Sequence, residues 1–151
     1  MIEFFASIYE LFGLIYASDL GDYLRGWNII CDDFDGTPWY NYVGLTMLIT
    51  TISFYALQYH IIDNSRFKNK FHWWVIASLV VILNFLIAFS IPFNSLQVGD
   101  YCNELNFTSA DCAGFGLSNA FWSFALFVLL TSFKYPKHFS VNCRFTTFWK
   151  P

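Results

Sequence analysis

The chain has 151 residues, of which 56% are hydrophobic, 23% aromatic and only 13% charged. Soluble domains carry about 25% charged residues, so the composition favours an integral membrane protein over a soluble enzyme. The formal net charge of −3 says little as a total, because positive and negative residues occupy different parts of the chain. This length predicts one membrane domain, residues 1–151, with several spans joined by short loops.

The first apolar segment, residues 2–18, contains two acids, Glu3 and Glu10. Its strongly apolar side chains each favour insertion by roughly 0.3–0.6 kcal/mol, whereas an acid near the centre costs roughly 2.5–3.5 kcal/mol. The balance is near zero. We therefore predict a first span that needs either neighbouring helices or a neutral Glu10.

Three further apolar segments follow, at about 40–62, 73–92 and 114–133. The clearest of them contains Trp73–Ile91, 19 residues without a charge. As a helix this run covers about 28 Å, close to the thickness of a bilayer, and Pro92 is expected to end it. The sequence thus predicts an all-α integral membrane protein, a bundle of four transmembrane helices.

Charge predicts the orientation of this bundle. Residues 63–72 form a short basic connector and 134–151 a basic tail, while the loops at 19–39 and 93–113 are acidic. Basic segments stay cytoplasmic, so we expect both termini inside and both acidic loops outside. The basic side chains are candidates for binding anionic lipid or a soluble partner: Arg66, Lys68, Lys70, Lys134, Lys137, Arg144 and Lys150.

Three of the four cysteines fall in the predicted outer loops, where disulfides persist in an oxidising compartment. Cys102 and Cys112 lie ten residues apart in one loop and form the natural pair. Cys31 would then be free, pair between chains, or replace one member of that pair. Cys143 lies in the predicted cytoplasmic tail.

Glu10 belongs to a stripe of small and acidic residues on one face of the first helix, with Ala6 and Gly13. An acid in such a stripe is expected to face the protein interior. It would serve as a proton- or cation-responsive carboxylate or line a polar oligomer axis. Alternatively it plays only a structural role, protonated or hydrogen-bonded to Asn84 or Thr50.

Other polar side chains lie within the remaining spans and predict hydrogen bonds between helices. The candidates are Thr46, Thr50, Ser53, Asn84, Ser118, Asn119 and Ser123. Phosphate loops, nucleophile elbows and metal-ligand spacings are missing from the sequence. We therefore expect no enzymatic activity, no metal, no cofactor and no direct binding of nucleic acid.

Four spans with cysteines in the outer loops resemble the quinone-linked disulfide oxidoreductases, but the Cys-x-x-Cys pair of that family is missing. In size and layout the whole chain resembles the small membrane subunits of bacterial anti-phage systems, such as the four-span component of Kiwa. That resemblance implies the bacterial inner membrane, while the polar stripes and the basic inner face predict a homo-oligomer and a cytoplasmic protein partner. The leading hypothesis is a non-enzymatic sensor or anchor, and the alternative is a small ion or proton channel or transporter.

Overall fold

The structure is a computed structural model that describes residues 2–11, 16–61 and 70–132. Within these residues all regular structure is helical and no strand occurs, so the predicted all-α class is confirmed for this part of the chain. The helices in chain order are α1 Ile2–Glu10, α2 Ser18–Arg25, α3 Trp39–Ala56, a π-helical segment Leu57–Ile61, α4 Lys70–Val98 and α5 Ser109–Ser132.

Helices α4 and α5 form an antiparallel hairpin joined by residues 99–108. Two stretches in them, Phe71–Val98 and Ser109–Ser132, are long and apolar enough to cross a membrane by length and composition. They correspond to the predicted spans 73–92 and 114–133. The predicted number of four spans and the inward termini have no comparable support among the described residues.

The predicted first span, 2–18, is not one continuous helix. Helix α1 ends at Glu10 after nine residues, about 13 Å at 1.5 Å per residue. Ala17 is extended, with φ −66° and ψ 150°, and its amide donates to the carboxylate of Asp111, at 3.0 Å. A side chain of α5 thus takes the amide that a continuous helix would pair internally.

Pro92 does not end α4, which continues for six residues to Val98. A proline inside a helix removes one backbone hydrogen bond and costs about 3 kcal/mol. Packing favours the longer helix, because Phe93 and Leu96 lie against the core cluster that includes Leu20 and Leu24. The expectation that the helix stops at Pro92 was therefore wrong.

The long helices expose many large apolar side chains, including Leu79, Ile82 and Leu86 of α4. The core is apolar as well, but it also contains buried polar side chains: Thr51, Gln58, Asn84, Ser118, Asn119, Ser123 and Thr131. Single exposed apolar side chains are common, but a continuous apolar surface indicates contact with another apolar phase.

Candidate functional site

A cap covers the end of the bundle where residues 99–108 join α4 to α5. The cap consists of α2 with residues 26–38 and 99–108. The cap carries seven carboxylates and one arginine. Such an excess of one sign creates a potential that attracts cations. Because both connecting loops and α2 meet here, the cap is the part of the described chain best placed for recognition.

Hydrogen bonds fix the cap to the long helices. The hydroxyls of Tyr23 in α2 and Ser95 in α4 lie 2.6 Å apart. The amide of Asn106 donates to the carboxylate of Asp19, at 2.9 Å, and so ties the 99–108 loop to the first turn of α2. These contacts connect α2, α4 and the loop, so the cap is part of the bundle and not a free appendage.

A disulfide joins the two loops of the cap, and it links Cys31 to Cys102. The predicted pair Cys102–Cys112 was wrong. Cys112 is a free, fully buried thiol in the first turns of α5, where helical backbone holds it in the core and away from the loop. Of the open alternatives, the structure realises the one in which Cys31 replaces Cys112. Cys31 has a φ of 66°, which is unusual for a residue other than glycine.

Next to the disulfide lies a cavity of about 220 Å³. Its polar lining includes Asp100, Thr37 and Asn28, and Ser95 lies on its α4 side. Four aromatic residues also line it: Tyr23, Trp27, Trp39 and Tyr101. Most pockets that bind small molecules combine such apolar walls with a few polar groups.

Each aromatic ring of the cavity wall packs against another ring. Phe107 lies against Tyr23 and Tyr101, with ring centroids 5.6 Å and 4.9 Å apart. Trp27 meets Phe34 edge-on at 4.5 Å. Offset and edge-to-face pairs of this kind stabilise by about 0.5–1.5 kcal/mol each, so the walls are preorganised.

Two glycines close the cavity at the end of α2. Gly26 has a φ of 102° and caps the helix in the left-handed region, which favours glycine. The Gly36 amide donates to the Gly26 carbonyl at 2.8 Å. A Cβ on Gly36 would lie 2.8 Å from that oxygen, so the contact leaves no room for a side chain.

Burial raises the pKa of Tyr23, and its hydrogen bond to Ser95 acts in the opposite direction. The negative charge of Asp100 raises this pKa further, and a hydrogen bond with the Trp39 side chain lowers it. Tyr23 therefore stays a neutral phenol at physiological pH. Its role in the cap is to donate or accept hydrogen bonds.

One alternative had Glu10 hydrogen-bonded to Asn84 or Thr50, but Glu10 bonds neither residue. Its carboxylate accepts a hydrogen bond from Arg25 at 2.7 Å, and the two side chains are 33% and 42% exposed. Arg25 also lies 3.7 Å from Asp22. Glu10 is thus an ion-paired residue at the base of the cap.

A chain of buried polar contacts connects four helices in the core. Thr50 of α3 donates to the Asn84 side chain in α4, at 2.9 Å. Asn119 of α5 donates to the Asn84 carbonyl at 2.8 Å and accepts from the Tyr9 hydroxyl of α1 at 2.6 Å. The expectation that Thr50, Asn84 and Asn119 bond between helices is confirmed. Thr46 is half-buried and donates to the Tyr42 carbonyl within its own helix.

Two residues of this arrangement escaped the sequence reasoning. Tyr9 was not singled out from the sequence, and it is fully buried. Asp111 caps α5 by accepting from the amide and the hydroxyl of Thr108, at 2.8 Å and 2.7 Å. The Thr-x-x-Asp spacing before an apolar run is a capping-box signal, so the start of α5 was detectable from the sequence.

Of the predicted basic residues, Lys70 is the one that falls within the described part of the chain. Lys70 begins α4, and Arg66, Lys68, Lys134, Lys137, Arg144 and Lys150 lie outside the described residues. Within residues 2–11, 16–61 and 70–132, no group of three or more His, Cys, Asp or Glu residues could hold a metal ion. No protein family, curated protein or solved structure matches the chain.

Proposed function

We propose that the chain is a multi-pass membrane protein that acts by recognition. In this proposal it is a non-enzymatic, oligomeric sensor or anchor that couples the cell envelope to a cytoplasmic partner. One observation carries the proposal: the long helices expose apolar side chains and bury polar ones beneath an acidic, disulfide-linked cap. Lipid is the environment in which that distribution is stable.

Contacts of the N-terminal segment support a topology of four crossings. Ala17 bonds Asp111, Tyr9 bonds Asn119, and the Ile8 carbonyl accepts from the Trp122 indole at 3.1 Å. As residue numbers fall on the first segment, they rise on α5, so the two run antiparallel. In the proposal, residues 2–11 and 16–17 belong to a broken first crossing that runs beside α5 and has its N-terminus in the cytoplasm.

The partner would bind the basic segments, which contain seven of the eight lysines and arginines. Photo-crosslinking in cells tests this. The intact chain should crosslink to a defined protein that is lost when residues 134–151 are removed, while the truncated chain still reaches the membrane. If both chains crosslink to the same proteins, the tail does not bind the partner.

An anti-phage role, as in the Kiwa-type subunits, is the finer form of this proposal and rests on size and layout. Cells that carry the chain with its neighbouring genes should reduce phage plaque formation. Removal of the membrane chain alone should abolish that protection. Unchanged plaque numbers with and without these genes would rule out the anti-phage role.

A channel or transporter is the second candidate, and two features favour it. Helix α1 ends within the apolar N-terminal segment, and the charged pair Glu10–Arg25 lies at that end. Broken helices and paired charges mark many transport sites. Vesicles reconstituted with the chain should then conduct ions, and Glu10→Gln should change that conductance. Vesicles that stay silent under voltage and pH steps would exclude conduction.

A further inference from the structure

The cavity of the cap combines three features that select the same chemistry. It has aromatic walls, a carboxylate in the lining and acidic surroundings. Aromatic faces attract cations within about 6 Å of the ring centre, and an acidic surface concentrates cations near it. An anion would meet neither a described basic side chain in the lining nor a favourable potential.

We propose that this cavity binds a small organic cation, an ammonium or guanidinium group, between the aromatic rings with Asp100 as its counter-charge. Trp27, Trp39 and Tyr101 supply the ring surfaces. A volume of about 220 Å³ suits a compact headgroup and excludes a large ligand.

Asp100 is available for this role. Both ion pairs among the described residues involve Arg25, and neither includes Asp100. Its backbone amide bonds the Ser95 carbonyl at 3.1 Å, which fixes the residue where α4 ends. The carboxylate is therefore held at the cavity without a described cationic partner.

The disulfide completes the site because it joins the two walls. Asn28 and Ile29 precede Cys31 on one loop, and Asp100 and Tyr101 precede Cys102 on the other. Reduction of this bond frees one wall from the other. The site is built from the cap together with Trp39 of α3 and Ser95 of α4. None of these residues belongs to the basic segments, so a failure of the partner coupling proposed above would leave this proposal untouched.

Calorimetry on the purified full-length chain in maltoside micelles tests the proposal. The probes are choline, ethanolamine and methylguanidinium, with the neutral carbon analogue of choline, which carries a tert-butyl group, as the ligand control. At least one cation should bind saturably, more weakly at high salt, and the neutral analogue should not. Failure of all three cations, or equal binding of the neutral analogue, would overturn the proposal.

Matched variants separate a specific site from a general charge effect. Asp100→Asn should lower the affinity for the cation by about tenfold or more. Asp35→Asn is the same change at an exposed cap residue outside the cavity, and it should change the affinity less than about twofold. Trp27→Leu should also weaken binding, with Trp74→Leu as its control. Equal losses in Asp100→Asn and Asp35→Asn would contradict a defined site. Asp100 is exposed, so its variant keeps the test valid if Trp27→Leu does not fold.

The source of the cation is resolved with nanodiscs. If the ligand is a lipid headgroup, free choline should titrate the chain in phosphatidylglycerol discs but not in phosphatidylcholine discs, where lipid occupies the cavity. If it is a free metabolite, choline should bind equally in both. Reduction of the disulfide should weaken binding in either lipid, and unchanged affinity after confirmed reduction would contradict the two-wall site.

Discussion

Asn119 is the residue at which the polar contacts of the core converge. It accepts from the α1 hydroxyl of Tyr9 and donates to the α4 carbonyl of Asn84, and it is fully buried. Loss of this side chain removes the acceptor of the buried Tyr9 hydroxyl and the interhelical donor to the Asn84 carbonyl. Such groups cost more when unpaired than their hydrogen bonds contribute when formed.

Substitution of Asn119 tests this convergence. Asn119→Ala should lower the free energy of unfolding by about 1–2 kcal/mol, because Tyr9 and the Asn84 carbonyl lose a partner. Thermal unfolding in detergent, followed by circular dichroism, measures the effect. The control is Asn94→Ala at an exposed position of α4, and an equal loss in both variants would show that the contacts do not stabilise the bundle.

At the same scale, only part of the predicted polar network bonds between helices: Thr50, Asn84 and Asn119 do, whereas Thr46 and Ser123 bond within their own helices. The bonds of Thr50 and Asn84 are predictable from the sequence, because a polar side chain in an apolar helix needs a hydrogen-bond partner. One alternative placed Glu10 in that network, but its carboxylate pairs instead with Arg25 of α2 at 2.7 Å. Helical periodicity assumes one continuous helix, so it fails where the helix ends.

At the scale of elements, the disulfide fixes the arrangement of the two cap loops. Cys31 and Cys102 are separated by 71 residues. Proximity in sequence favoured Cys102–Cys112, but the capping box at Thr108–Asp111 draws Cys112 into α5. Sequence distance says nothing about which loops meet, so the pairing required the tertiary structure.

Thiol counting distinguishes the two pairings. In a Cys143→Ser background, the denatured, unreduced chain should accept one maleimide, at Cys112, and none after Cys112→Ser. A Cys102–Cys112 bond would instead leave one reactive thiol in this background and two after Cys112→Ser. A gel shift with a polyethylene glycol maleimide reads the count, and loss of the native bond by Cys31→Ser should destabilise the cap by about 2–4 kcal/mol.

The Gly26–Gly36 contact is the second constraint on these loops. Gly36→Ala places a methyl group 2.8 Å from the Gly26 carbonyl oxygen, so the connector must move and the cap should melt at a lower temperature. Gly21→Ala is the control, since its Cβ lies 3.4 Å from the nearest atom and alanine favours a helix. If both variants melt alike, the close contact does not constrain the cap.

At the scale of the whole molecule, long apolar runs located α3, α4 and α5, and the predicted ends lie within six residues of the helix ends. It could not predict that α4 passes Pro92, because packing of the following turn outweighs a local penalty. Nor could it reveal the cavity, whose walls come from residues far apart in the sequence. Composition predicts the environment of a helix, whereas a site depends on which ends of the helices meet.

Cysteine labelling tests the proposed orientation. In a background with Cys112→Ser and Cys143→Ser, Asp35→Cys should react with a membrane-impermeant maleimide in intact cells. Lys137→Cys should react only after permeabilisation, because the basic tail is proposed to be cytoplasmic. The reverse pattern would invert the topology, and reaction of both in intact cells would exclude a closed membrane between them.

The Cys31–Cys102 bond also imposes an order on biosynthesis. The ribosome makes Cys31 well before its partner, 71 residues later, a delay of roughly 4–14 seconds at ordinary translation rates. During that interval the first cysteine is a free thiol, open to the wrong oxidation partner. A complete cap therefore requires both loops in the same compartment, and the cavity cannot be closed by its disulfide until synthesis has passed Cys102.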